Sequence, residues 1–309
     1  MPRFGWLFSL ALLVALGSAP VWAFDGIRVT LLGTGGLSPS IERFGSATLV
    51  EAGNEVLLFD CGRGAVQRLA QAKVRLTDLT AVFLTHLGAD STVGLPDLWL
   101  TGWLQGRPDA LPVYGPEGTE EMMRSFEHAF RADIRSRARA EPDAATVDAH
   151  DIAENVVYRS EEVTVTAVVV DRGTLPAYAY RIDLHHRHSM LISAAARYSA
   201  NLVQSARGLR LIVQEVGAAD PELMESSRIR DMLSVHSSPE DAARMFREAR
   251  PYLAVYAPVV LFDVSEDQLM RRTHAAYPGI VELGRDLMVI EIQDEVQVRG
   301  APSSERRRE

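Results

Sequence analysis

From position 27 onward, apolar residues recur in two rhythms. Short β-branched runs, apolar throughout or at every second position, predict strands over 27–32, 46–51, 55–59, 81–85, 156–158, 163–170, 177–183, 189–192, 209–215, 252–256 and 286–292. Spacings of three and four predict helices over 65–72, 92–105, 118–138, 199–206, 239–249 and 266–275. The helix over 239–249 has the fullest start signal: Ser238 to cap it, Pro239 at its first position, and Glu240 and Asp241 to complement its dipole. Strand pairs interrupted by helices in both halves predict a layered α/β sandwich. No repeat or long linker divides the chain, so a single domain is expected, with the polar, strand-poor stretch 131–151 as a surface insertion.

The first residues follow another pattern. Arg3 supplies a short positive region, 4–17 an apolar one, and Val21-Trp22-Ala23 a small-residue cleavage site, which reads as a signal peptide over 1–23. The apolar run is short of the roughly 20 residues that span a bilayer, so no stable membrane anchor is expected after cleavage. An exported protein is the expectation, periplasmic or secreted. The domain would cover 24–297, and 298–309, closing on Glu305-Arg306-Arg307-Arg308-Glu309, would be a flexible charged tail. The single cysteine, Cys61, excludes an intramolecular disulfide. The formal charge of -9 opposes polyphosphate partners, so no nucleic acid is expected.

Several blocks carry candidate chemistry. In order they are Leu31-Leu32-Gly33-Thr34-Gly35-Gly36, Arg43-Phe44-Gly45, Leu57-Leu58-Phe59-Asp60-Cys61-Gly62, Phe83-Leu84-Thr85-His86-Leu87-Gly88-Ala89-Asp90-Ser91, Gly94-Leu95-Pro96-Asp97, Pro176-Ala177-Tyr178-Ala179-Tyr180-Arg181, 211–216 and His236-Ser237-Ser238-Pro239-Glu240. This series resembles the metallo-β-lactamase superfamily, in particular its RNase Z and arylsulfatase-like branch. The resemblance implies a four-layer αββα sandwich and a metal-dependent hydrolase whose two Zn²⁺ ions, each held by about four donors, activate a bridging hydroxide.

Placed on the family's H-x-H-x-D-H motif, His86 and Asp90 are present, while the second histidine falls on Gly88 and the last on Ser91. A further family histidine falls on Arg172, the bridging aspartate on Ala195, and a late-strand histidine on Pro258. His86 and Asp90 are thus remnant ligands, and no metal is expected at the family site, with zinc as the alternative. The implied function is a pseudoenzyme that binds an unknown ligand or protein partner. The alternative is an active hydrolase of esters or phosphodiesters, using one metal or none, with His86 and Asp90, joined by His236, as the acid/base set.

Without its cation, a buried Asp90 would need a new counter-charge, and an ion pair with Arg172 is the expectation, against an Arg172 that points to solvent. His236 matches the family histidine that assists proton transfer, but without metal it is expected to hydrogen-bond a neighbouring loop. His185, His186 and His188 read as a polar hairpin turn ahead of a metal patch. Trp99 and Trp103, four apart, share a helix face and read as core ahead of a pocket mouth.

Overall fold

The computed structural model describes residues 24–36, 38–137, 145–173, 175–193 and 196–300. The signal peptide, Ala195 and residues 301–309 of the expected tail lie outside the described residues. One sheet holds β1 (Ile27–Gly33), β2 (Ala47–Ala52), β3 (Glu55–Phe59), β4 (Ala81–Phe83), β5 (Pro112–Gly115) and β6 (Asp148–Asp151). The other holds β7 (Asn155–Arg159), β8 (Val163–Val169), β9 (Tyr178–Leu184), β10 (His188–Ser193), β11 (Leu211–Ala219), β12 (Leu253–Phe262) and β13 (Val281–Leu283). The chain then returns to the first sheet as β14 (Met288–Ile292) and β15 (Val296–Arg299). The orders are β15-β14-β1-β2-β3-β4-β5-β6 and β13-β12-β11-β10-β9-β8-β7.

Alternation along the strands builds the layers, because successive side chains leave a strand on opposite faces. Leu57 and Phe59 of β3 join the core between the sheets, where they meet Val165 and Tyr180, while Leu58 faces the helices outside. Those helices are α1 (Ala65–Gln71), α2 (Ala89–Thr92), α3 (Leu95–Leu104) and α4 (Thr119–Arg137), with Leu69, Leu98 and Met123 buried against the first sheet. On the second sheet lie α5 (Ala200–Ser205), α6 (Ser227–Leu233), α7 (Pro239–Ala249) and α8 (Glu266–Ala276), with Leu202, Phe246 and Leu269 buried. Each fully buried Leu, Val or Phe contributes ~1.5–3 kcal/mol, so these three apolar layers hold the four-layer αββα sandwich. The fold class expected from the sequence is the one found.

Three departures have local causes. The helix expected over 92–105 is split, because Gly94 donates its N–H to Cys61 O at 2.9 Å and a Cβ there would meet Gly62 O at 2.4 Å. The expected insertion over 131–151 instead ends α4 at Arg137 and forms β6, which pairs in parallel with β5. The expected strand over 286–292 starts at Met288, since Asp286 is taken up as an acceptor. Its carboxylate receives Thr34 N and Oγ1 at 2.9 and 2.7 Å, Phe44 N at 2.8 Å, and Arg68 Nε and Nη2 at 3.1 and 2.8 Å. At the chain's far end β15 reaches Arg299, paired with Val289, so the strand overlaps the start of the expected tail. Cys61 is fully buried, and burial pushes its thiol up.

Candidate functional site

The site lies where chain segments leave the C-terminal ends of β3, β4, β8 and β10, beside the middle of β11 and the second half of β12. Gly62 lets two of these segments meet, for a Cβ there would lie 2.3 Å from Asp90 O. The space among Asp60, His86, Asp90, Ser91, Ser193, Glu215 and Pro258 is about 10 Å³. That is at the lower bound for one water molecule. Above it, between Gly35, Arg43, Asp90, Met232, His236 and Val259–Phe262, opens a cavity of about 140 Å³.

Beneath the cavity runs a chain of polar contacts. Thr85 donates its N–H to Asp60 Oδ1 at 2.9 Å and its hydroxyl to Asp60 Oδ2 at 2.9 Å. With that proton committed, Thr85 Oγ1 accepts from His86 Nδ1 at 2.9 Å. The far ring nitrogen, Nε2, lies 3.3 Å from Asp90 Oδ1. Burial lifts the Asp60 carboxyl to about 6, against the lowering pull of His86 and the Thr85 hydrogen bonds. Burial also pushes Asp90 up, but the His86 hydrogen bond and charge, together with the Arg172 charge, outweigh it and hold Asp90 below the ordinary carboxylate value.

The raised Asp60 has a consequence for stability. An unfolded chain releases this proton near 3.8 and the folded chain near 6, so between those values the folded state binds more protons and rising pH favours unfolding. The loss expected from Asp60 between pH 4 and pH 7 is about 2 kcal/mol, most of the roughly 3 kcal/mol that the whole shift carries at 1.36 kcal/mol per pKa unit. Asp60→Asn keeps an acceptor for Thr85 N–H without the ionisation. Urea unfolding from pH 4 to pH 7 should show the fall in the wild type and a flatter profile in D60N. Equal slopes would assign the fall to other groups.

His236 does not bond a neighbouring loop through its ring, as the sequence reading had it. Its Nδ1 meets Glu215 Oε1 in a contact that is an ion pair rather than an aligned hydrogen bond, with both side chains buried. Burial works against the charged ring, but Glu215 overcomes it and raises His236, while Arg172 opposes and Asp90 assists. Glu215 was missed as a functional residue. Its signal was an acid set inside the apolar run of β11, at a register shift between Gln214 and Val216.

The expected ion pair between Asp90 and Arg172 is not formed. Among the described residues Arg172 makes no ion pair within 4.0 Å, and its Nε and Nη1 are buried without hydrogen-bond partners. His86, in the loop four residues before Asp90, has taken the carboxylate instead. The alternative, Arg172 in solvent, holds only in part: the residue is half-buried, and its Nε and Nη1 are closed to solvent.

Zinc needs three or four converging N, O or S donors. Gly88 and Pro258 offer no side-chain donor, Ser91 offers a hydroxyl, and Arg172 is itself a cation. A Cβ on Gly88 would lie 2.5 Å from Asp90 Oδ1 and 2.6 Å from His86 Nε2, so the remnant pair has closed over the place a second histidine would enter. Among the described residues no three of His, Cys, Asp and Glu come together as a metal-holding group. The described donors therefore do not fit zinc. Nor do His185, His186 and His188 form such a group: His185 and His186 turn between β9 and β10 at positive φ, and His188 is buried. Trp99 is buried in α3, and neither it nor Trp103 borders the cavity.

The Beta-lactamase superfamily domain matches residues 55–257. Ribonuclease Z of Mycobacterium sp. (strain KMS) is 34% identical over 285 residues, covering 89% of this chain and 99% of its own length. The chain belongs to the metallo-β-lactamase-fold superfamily, in its RNase Z branch. Ribonuclease Z of Mycolicibacterium gilvum (strain PYR-GCK) is 33% identical over 286 residues, with 89% and 99% covered. Two solved structures share the superfamily fold. YhfI from Bacillus subtilis has a TM-score of 0.70 at 20% identity, covering 87% of this chain and 100% of its own. Human tRNase Z, short form, has 0.67 at 21% identity, covering 86% and 99%. These relatives overturn the expectation of no nucleic-acid partner. Net charge describes the average surface and so does not exclude a nucleic-acid partner, and the relatives carry the name Ribonuclease Z.

Proposed function

We propose that this protein is a binding member of the RNase Z branch that works without metal and outside the cytoplasm, with the family cleft kept and the hydrolytic centre lost. The observation that carries the reading is the closed pair: His86 faces Asp90 across Gly88, where a zinc-binding branch member would need a third donor. The Ribonuclease Z relatives make RNA the first ligand to try. The apolar run of 4–17 with its cleavage site supports export.

The test is elemental mass spectrometry on protein recovered from the exported fraction, after dialysis against zinc and with the His185, His186 and His188 turn substituted in a parallel sample. A chain starting at Phe24 with far less than one metal is expected, as is no EDTA-sensitive cleavage of RNA or of an activated phosphodiester. One or two zinc ions per chain in both samples would overturn the reading. A second reading, a hydrolase that uses His236 as general acid, is favoured by the Glu215 contact, which raises that ring's affinity for a proton. It requires turnover in EDTA that His236→Ala abolishes.

A further inference from the structure

The end of the sandwich away from the cleft is built from the turn between β9 and β10, the loops that enter β11 and β12, and the residues that lead into β1 and β13. Backbone hydrogen bonds join the segments of the second sheet there: Arg210 N donates to Ser189 O at 3.2 Å, Gly208 N to Ala249 O at 2.9 Å, Tyr252 N to Leu209 O at 3.0 Å and Ala254 N to Ile280 O at 3.1 Å. In a chain of formal charge -9, these segments gather cations. Arg207, Arg247 and Arg250 line one open hollow, and the Arg210 guanidinium lies 5.9 Å from the centre of the Tyr252 ring. Among the described residues Arg207, Arg210 and Arg250 make no ion pair. Neighbouring acids are already answered: Glu248 accepts from Arg244 Nε at 3.0 Å and Tyr198 OH at 2.6 Å, and Asp183 from Arg181 Nη2 at 2.8 Å. The unpaired acids Glu161, Asp294 and Glu295 belong to the β7–β8 and β14–β15 turns, outside the β10–β13 half that carries the arginines.

Arg250 is placed there against its backbone preference. It caps α7 at a φ of 55°, where glycine is free of strain, and its side chain is exposed. Two large apolar side chains stand in solvent on the same segments, Tyr252 at 51% exposure and Ile280 at 54%. Arginines set around an exposed aromatic and an isoleucine suit a bilayer interface, where the cations meet anionic headgroups and the apolar groups enter between them. The start of the chain points the same way. Phe24, preceded in the sequence by the apolar run 4–17, leads into β1 at this end, where Arg187 Nη1 donates to Asp25 Oδ2 at 3.1 Å.

We propose that this end of the molecule docks on an anionic lipid bilayer, with Arg207, Arg210 and Arg250 on the headgroups and Tyr252 and Ile280 between them. Docking in this orientation turns the cleft, at the other end of β10, towards solvent. The acidic remainder of the surface is repelled by the same headgroups and so reinforces the orientation. No residue of the cleft enters, so the proposal stands apart from the metal-free reading.

The test is co-sedimentation of the chain from Phe24 onward, which carries every described element, with lipid vesicles. Vesicles of equal parts phosphatidylglycerol and phosphatidylcholine are expected to carry the protein down, pure phosphatidylcholine is not, and salt of about 0.5 M should release it. Each arginine changed to glutamine should weaken binding about fivefold, and Arg207→Gln, Arg210→Gln and Arg250→Gln together on the order of a hundredfold. Arg250→Gly separates the surface from the fold: its melting temperature should be no lower than that of the wild type while its vesicle binding falls. Arg271→Gln, beside the far end of β11, should bind like the wild type. Equal binding to neutral vesicles, or anionic binding that survives the triple substitution, would overturn the proposal. So would arginine-dependent binding of a single-stranded RNA without binding of vesicles, which would make this end a nucleic-acid surface instead.

Discussion

Replacing Gly88 with histidine is expected to turn a protein whose melting temperature ignores zinc into one whose melting temperature rises with it. The substitution restores a third donor beside His86 and Asp90, the number of protein ligands that catalytic zinc sites use. It also forces the remnant pair apart, because the new Cβ would enter within 2.6 Å of His86 Nε2 and 2.5 Å of Asp90 Oδ1. Overpacking of this kind costs about 1–3 kcal/mol, so without metal the variant should melt below the wild type. Zinc at about 100 times its dissociation constant would add about 2.7 kcal/mol and offset most or all of that cost. Melting curves with zinc and with EDTA check both halves. A wild type that is itself stabilised by zinc would mean that the donors already suffice.

Removal of the Asp286 carboxylate should cost more stability than any change in the cleft. Asp286→Ala leaves Thr34 and Phe44 without their acceptor and strands Arg68, whose side chain is only 12% exposed. Loss of one partner from a buried charged pair costs about 3–5 kcal/mol. That corresponds to a melting temperature lower by roughly 6–20 °C. Because the same carboxylate ties Thr34 to Phe44, the cavity wall that includes Gly35 and Arg43 should loosen along with the fold. A change of less than about 1 kcal/mol would mean that the network relaxes onto water.

What could be read from the chain depended on how local the cause was. The helix α7 was legible to the residue because Ser238, Pro239 and the two acids mark its start within four positions. By contrast, β6 is Asp-Ala-His-Asp, with no apolar rhythm, and is made a strand only by β5 beside it. Pairing of this kind outweighs intrinsic preference and leaves no trace in the segment itself. In the site, Gly88 and Pro258 were legible because the blocks around them keep the family's order. The choice of partner for Asp90 was not, since it depended on whether His86 or Arg172 came closer in space. Glu215 was hidden by its own surroundings: an acid in a strand buried along its whole length declares itself only once His236 is seen against it.

The strand β1 has one further consequence, in the order of assembly. It pairs with β2, its immediate successor, and on its other side with β14, Ile27 opposite Ile292. Contacts so distant along the chain are slow to form. Until the last residues arrive, the middle of the first sheet is an open apolar edge able to pair with another molecule. A chain cut short before Met288 would therefore lose its protection against aggregation while every residue of the cleft remained in place.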